Sequence, residues 1–344
     1  MINLLKEVAR GKRGARDLVL DEALEAAEAI LTLQATPAQI GAFFIAERIK
    51  MESVDELEAF VRVVRKYATR LPIQEGLDCA GPYDGRKSSF YATFPTAFVL
   101  AAAGVPVTLH GAPSLPPKWG IGLHDVIRAA GVDPDRLDAE KAALAAREAG
   151  VVYIPTEQWC PPLRELRSIR EELGMRTILN SAEKLIDFTH SPYLVFGVYH
   201  NTVFDRLSRL IIKLGYRKAL VIQGAEGSED LFIDRPTRAY VVDDGQFHLR
   251  IYDPETMGLD TPMPEKEWTP AEQAAVAESV LRGEADMAFA NQVLFNAAAR
   301  LELAGRVGSL EEGLYTCKAL IDSGAALAVY NSWKNALLGV PRLA

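Results

Sequence analysis

The spacing of apolar residues changes at Leu77, and that change limits the possible folds more than any other feature of the chain. Before it, every apolar run is helical. Leu18, Leu20, Ala23, Ala26, Ala27, Ile30 and Leu31 recur at intervals that place them on one helix face. Thr36 and Pro37 read as N-cap and first residue of a second helix, whose apolar face is Ile40, Phe43, Phe44, Ala46 and Ile49. Ser53 with Glu56 three residues later is a capping box, and opens a third helix running to about Arg70. From Leu77 short apolar runs alternate with helices. Val105–Leu109, Val151–Ile154, Tyr193–Val198, Ala219–Ile222 and Ala239–Val242 read as strands, and 94–103, 122–130, 138–148, 162–173 and 201–215 as the helices among them. Such alternation implies a mostly parallel sheet covered on both faces. Residues 243–268, rich in Asp, Gly and Pro, predict a hairpin and a long loop, and 270–340 are helical again. The expected class is therefore α/β, with a small helical-bundle domain over 1–72 and a larger domain over 73–344 built on a parallel central sheet. A cleft between two such domains is where small-molecule sites form.

Composition narrows the function. A chain of 344 residues that is 49% hydrophobic buries a large core. Its net charge of -8 and pI of about 5.3 exclude nucleic-acid binding by bulk electrostatics, so any such binding needs a local basic patch. Cys79, Cys160 and Cys317 are odd in number, far apart and without a C-x-x-C. That argues for a reducing compartment and against disulfides or zinc. Residues 1–14 are too charged for a signal peptide, and no apolar run nears the roughly 20 residues of a membrane helix. The expectation is a cytoplasmic protein with no membrane partner.

Several residues carry possible chemistry, each beside a plainer alternative. Asp84-Gly85 is a site loop or an ordinary turn. Glu229 and Asp230 are adjacent carboxylates after a strand, suited to magnesium with phosphate, or else a solvated acidic loop. His110 faces a ligand or is a buried, hydrogen-bonded histidine. Lys118, in a Pro-Pro-Lys-Trp-Gly loop, is an anion contact or a surface lysine. Cys160 reads as packing, because no partner histidine marks it as a nucleophile. Arg206, Arg209, Lys213 and Arg217 follow one another at three- and four-residue offsets with no acid between 206 and 218. They form a nucleic-acid-binding stripe or one solvated helix face.

Five segments resemble the anthranilate phosphoribosyltransferase family. Ala80-Gly81-Pro82-Tyr83-Asp84-Gly85 stands where that family has Gly-Thr-Gly-Gly-Asp-Gly, and Tyr91-Ala92-Thr93-Phe94 where it has Asn-Ile-Ser-Thr. Leu109-His110-Gly111-Ala112-Pro113-Ser114 matches Lys-His-Gly-Asn-Arg-Ser. Residues 169–180 match the helix that presents an arginine, here Arg170, to the acceptor carboxylate. Residues 223–230 end at the family's Asp-Glu metal-binding pair, here Glu229 and Asp230. The resemblance implies a nucleoside-phosphorylase-like two-domain fold, a homodimer through the helical domain, and magnesium. It also implies a ligand site drawing on Asp84, Gly85, Thr93, His110, Gly111, Ser114, Lys118 and Arg170.

The departures fall on the phosphates. Pro82 removes a backbone donor and Tyr83 adds bulk in a loop that binds diphosphate through glycine amides. Leu109, Ala112 and Pro113 replace a lysine, an asparagine and an arginine, Phe94 replaces a hydroxyl, and Cys160-Pro161 stands for His-Pro. Gly81–Arg86, His110–Gly120 and Gly224–Ser228 are more similar to a divergent TrpD-like branch, whose members are taken to lack the activity and one of which is associated with nucleic-acid binding. No catalytic residue is assigned. Three functions follow: a retired paralogue binding nucleic acid or another polyanion, a glycosyl or phosphoribosyl transferase with a different acceptor, and a true anthranilate phosphoribosyltransferase.

Overall fold

The computed structural model describes residues 1–11 and 13–339. Four helices come first: α1 (Ile2–Val8), α2 (Leu20–Leu31), α3 (Pro37–Lys50) and α4 (Val54–Tyr67). Both predicted caps form. Thr36 Oγ1 accepts from Gln39 N–H while Gln39 Oε1 accepts from Thr36 N–H. Ser53 and Glu56 exchange the same two bonds, and Glu56 also accepts from Leu18 N–H at 2.7 Å, tying α4 to the entry of α2.

Among the described residues, the rest is built on seven strands: β1 (Leu77–Ala80), β2 (Val107–Gly111), β3 (Val151–Pro155), β4 (Tyr193–Gly197), β5 (Lys218–Ile222), β6 (Thr237–Asp243) and β7 (Gln246–Tyr252). Their spatial order is β3-β2-β1-β4-β5-β6-β7, with β1 to β5 parallel and β6 and β7 antiparallel. Side chains alternate across the sheet: Val195 joins one core, while Leu194 and Phe196 join the other. On the first face lie α5 (Thr93–Ala102), α6 (Leu123–Ala129) and α7 (Ala139–Ala149), with α13 (Pro270–Arg282), α14 (Met287–Leu303), α15 (Leu310–Asp322) and α16 (Ala325–Leu338). On the second lie α2 to α4, short helices between 156 and 182, and α12 (Phe204–Lys213).

Those short helices are α8 (Thr156–Trp159), α9 (Pro161–Glu165), α10 (Arg167–Leu173) and α11 (Leu179–Ala182). They pack on the N-terminal helices: α10 against α3, and α9 and α11 against α4. The single helix expected at 162–173 is thus two, meeting at Leu166. The strand expected at Val105–Leu109 starts two residues later, because Pro106 has no N–H and ladder pairing begins at Val107 opposite Leu77. The strand also ends two residues later than expected, because His110 and Gly111 pair with Ile154 and Pro155. The predicted hairpin is β6–β7, turning through Asp244 and Gly245, both at positive φ.

Because β1 pairs with β2 on one side and β4 on the other, the chain reverses its direction of travel at β1. Such a switch point opens a crevice at the strands' C-terminal ends. The loops after β1, β2, β4 and β5 all converge there. All three cysteines are buried and free. Among the described residues no helix is long and apolar enough to cross a membrane.

Candidate functional site

The loop after β1 is held tight. Gly85 has φ +77° with Gly120 backbone against it, so that position requires glycine, and a Cβ at Gly81 would lie 2.4 Å from Glu229 Oε2, so a side chain there would have to displace that carboxylate. Between them Tyr83 turns inward and is buried. Its hydroxyl lies 2.5 Å from His110 Nδ1 and 2.8 Å from Thr156 Oγ1. His110 Nε2 lies 3.0 Å from Asp78 Oδ1, so Asp78, His110, Tyr83 and Thr156 form one buried polar chain. Burial, with Glu183 nearby, holds the phenol well above its ordinary pKa and keeps it neutral. The space left beside Gly81, Tyr83, His110 and Gly111 is about 10 Å³, room for a water at most. Phe94 is not part of this plug; it packs into the core against Phe98, Tyr330 and Trp333.

The expected metal pair is engaged by arginines. Arg86 donates to Asp230 Oδ2 at 2.6 Å and Glu229 Oε2 at 3.2 Å, and stacks 3.9 Å from the Tyr91 ring centre. Arg300, from α14, donates to Asp230 Oδ1 at 2.9 Å, to Thr93 Oγ1 at 2.8 Å and to the Glu229 carbonyl. Thr93 in turn donates to Asp230 Oδ1 at 2.8 Å. Burial alone would raise the Asp230 carboxyl, but the Arg86 and Arg300 charges outweigh it and hold it low. Magnesium needs carboxylate oxygens free to coordinate, with water or phosphate completing its shell. Both Asp230 oxygens already accept hydrogen bonds, and two guanidinium groups already balance the two carboxylates. These residues do not fit a divalent cation.

The arginine expected to meet an acceptor carboxylate meets one from the protein. Arg170 is buried and bidentate to Glu183, at 2.7 and 3.0 Å. Glu226, at φ +54°, likewise accepts from the backbone N–H groups of Lys87, Ser88 and Ser89. Ser114 Oγ has no hydrogen-bond partner among the described residues, while its carbonyl accepts from Arg167.

On the other side of Asp84 the crevice is open. A cavity of about 540 Å³ runs between the helical unit and the ends of β4 and α12. Arg48, Lys118, Arg176, Lys184 and Arg206 line it, against Glu52 and Asp84. Lys118 lies 3.1 Å from Asp84 Oδ1 and donates to the Glu226 carbonyl, and Arg176 lies 3.5 Å from Asp84 Oδ2. Lys184 is buried, donates to the Gly197 carbonyl at 2.6 Å and sits 3.8 Å over Phe196. Burial, with Arg176 adding repulsion, pulls its pKa down to about 7.

The basic stripe on α12 and its extension is matched residue by residue. Arg206 meets Glu52, Arg209 meets Asp205, Lys213 meets Asp55 and Glu58, and Arg217 meets Glu75. Only Arg206 also faces the cavity. The partners of Arg206, Lys213 and Arg217 come from distant segments, which a window of sequence does not display.

Of the residues named from the sequence, Asp84 and Lys118 line the open cavity, His110, Gly111 and Glu229 line the closed space, Thr93 and Asp230 are bonded to Arg300, and Arg170 is held by Glu183. The sequence assigns no role to Arg86, Arg300, Glu183 or Lys184. A signal existed for Arg300: it follows Asn296 by one turn and stands between the apolar Ala297-Ala298-Ala299 and Leu301.

Known proteins fit this geometry. The helical bundle domain of a glycosyl transferase family matches residues 2–68, and that family's a/b domain matches 83–327. The chain is 34% identical to anthranilate phosphoribosyltransferase of Thermomicrobium roseum, over 90% of each. It is 34% identical to that of Symbiobacterium thermophilum, over 95% of this chain and 94% of the relative. The crystal structure of anthranilate phosphoribosyltransferase (TrpD) from Thermus thermophilus superposes with a TM-score of 0.83 at 26% identity, over 97% of this chain and 99% of the other. The Saccharomyces cerevisiae enzyme in complex with PRPP and Mg shares the fold, with a TM-score of 0.81 at 18% identity over 98% of each. Helical bundle, parallel sheet and matching loop positions together place the chain in the anthranilate phosphoribosyltransferase family.

Proposed function

We propose that this chain is a non-catalytic member of its family, in which the phosphoribosyl-diphosphate site is closed by the protein's own side chains, and that it binds phosphate-rich polyanions, nucleic acid among them, in the cleft beside that site. The observation that carries the first part is Tyr83. Its ring stands in the loop whose family counterpart is glycine, and its hydroxyl is fixed by His110 and Thr156. Opening the loop would break that chain and strand a buried phenol. Glu183 occupying Arg170, and Arg86 and Arg300 occupying Glu229 and Asp230, support the same reading.

The polyanion reading is supported by the excess of cations around the cleft in a chain of charge -8. Phosphates there would meet Lys118, Arg176 and Arg206, and the cleft rather than the α12 stripe would be the track. Exposed Ile2, Val19, Leu33, Ile49 and Met51 in the helical unit support a dimer through that unit, which would present two clefts.

Two measurements test this. Calorimetry with phosphoribosyl diphosphate and magnesium should give no saturable heat; the absent lysine, asparagine and arginine contacts are each worth about 1.5–3 kcal/mol. Micromolar affinity would revive a transferase with a different acceptor. Fluorescence anisotropy with a labelled single strand should show binding that falls steeply with salt and is abolished by Arg176→Glu with Arg206→Glu. Equal binding by wild type and this double reversal would refute the cleft as the track.

A further inference from the structure

We infer that Arg86 and Arg300 are built-in counter-ions standing in place of a divalent metal at Glu229 and Asp230, and that this carboxylate pair becomes a cation site only when both are removed. The inference rests on the failed fit of magnesium, and stands whether or not the chain binds phosphoribosyl diphosphate or polyanions.

Charge is the first reason. Glu229 and Asp230 contribute two negative charges and Arg86 and Arg300 two positive ones, and all four side chains are at most 2% exposed. The cluster is neutral and almost wholly shielded from solvent. A divalent ion added to it would leave two uncompensated positive charges in the interior, which desolvation strongly disfavours. Lone-pair supply is the second. Asp230 Oδ1 accepts from Thr93 and Arg300, Asp230 Oδ2 from Arg86, and Glu229 Oε2 from Arg86. Three of the four carboxylate oxygens a metal would use therefore already face N–H or O–H donors.

Rigidity is the third. Arg86 also donates to the Phe90 carbonyl at 2.6 Å and lies on the Tyr91 ring, so its position is fixed apart from the carboxylates. Arg300 extends from α14 and also donates to the Glu229 carbonyl. The two guanidinium groups reach one carboxylate pair from a loop and from a helix far apart in sequence. Deleting both would leave two buried carboxylates and the Thr93 hydroxyl, with new space for water. That is the hard-oxygen, doubly negative set a small divalent cation takes.

Manganese alone is the probe, followed by electron paramagnetic resonance and by melting temperature on the full chain. Wild type should show no saturable Mn²⁺ binding at millimolar concentration, and its melting temperature should not respond to Mg²⁺ or to chelator. The Arg86→Ala/Arg300→Ala variant should bind Mn²⁺ saturably, melt at a temperature that climbs with the logarithm of Mn²⁺ concentration, and lose both properties on adding Glu229→Gln. Arg86→Lys/Arg300→Lys, which keeps the charge, should bind none. Two results would overturn the inference: saturable binding by wild type that Glu229→Gln abolishes, or a folded double-alanine variant that binds no Mn²⁺. Should the double-alanine variant not fold, the titration of wild type against Glu229→Gln decides alone.

Discussion

Asp84 separates two regions built from the same strand ends. On one side, around Tyr83, Arg86 and Glu229, two guanidinium groups match the Glu229 and Asp230 carboxylates and about 10 Å³ remains. On the other, five basic side chains face two acidic ones around about 540 Å³. The difference teaches where a protein can hold unbalanced charge. In a dry cluster each ion must find its partner within the chain, because desolvation is not offset otherwise. In an open cleft water solvates the excess, and a phosphate ligand can displace that water. The closed region therefore balances its charges internally, and the open one leaves an excess of basic side chains facing solvent.

The largest effect that would sharpen this contrast is in the closed region. Arg300→Ala leaves Asp230 buried with one cation fewer, and should cost about 3–5 kcal/mol of unfolding free energy by denaturant titration. A loss below about 1 kcal/mol would mean that water reaches the cluster and that the contrast is false. Tyr83→Phe is next. It removes the hydroxyl joining His110 to Thr156, and should cost about 1–2 kcal/mol while leaving phosphoribosyl diphosphate unbound. A variant as stable as wild type would remove the plug's energetic basis.

A smaller effect tests the cleft by pH. Lys184 has a folded pKa of about 7 against an ordinary 10.5. Between these values the unfolded chain holds a proton that the folded chain lacks, so this group makes stability rise with pH across that window. Below pH 7 its penalty is fully present. Lys184→Met should flatten the slope of melting temperature between pH 7 and 10, and an unchanged slope would show Lys184 charged in the folded state. Polyanion binding should also strengthen as pH falls through 7, because the protonated amine adds a cation to the cleft. The smallest effect belongs to the α12 surface: Arg209→Gln with Lys213→Gln should change stability by less than about 1 kcal/mol. It should leave nucleic-acid binding nearly unchanged, since both side chains already face carboxylates. A large loss of binding would move the track from the cleft to the stripe.

By itself the sequence determined the helical start and the sheet covered by helices that follows it. Helical spacing before Leu77, the caps at Thr36 and Ser53, and the strand–helix alternation after it are local consequences of backbone geometry, and each appears in the fold. The loop positions around Asp84, His110 and Glu229 were also legible, because a motif occupies consecutive residues. Tertiary structure alone decided whether those positions are free. Arg86 reaches Asp230 across 144 residues, Arg300 reaches Thr93 across 207, Lys213 reaches Asp55 across 158 and Arg217 reaches Glu75 across 142. A stripe of four cations looks unopposed along the chain because its acids lie mostly on other segments. Electrostatic balance depends on distance in space and on desolvation, and sequence order fixes neither.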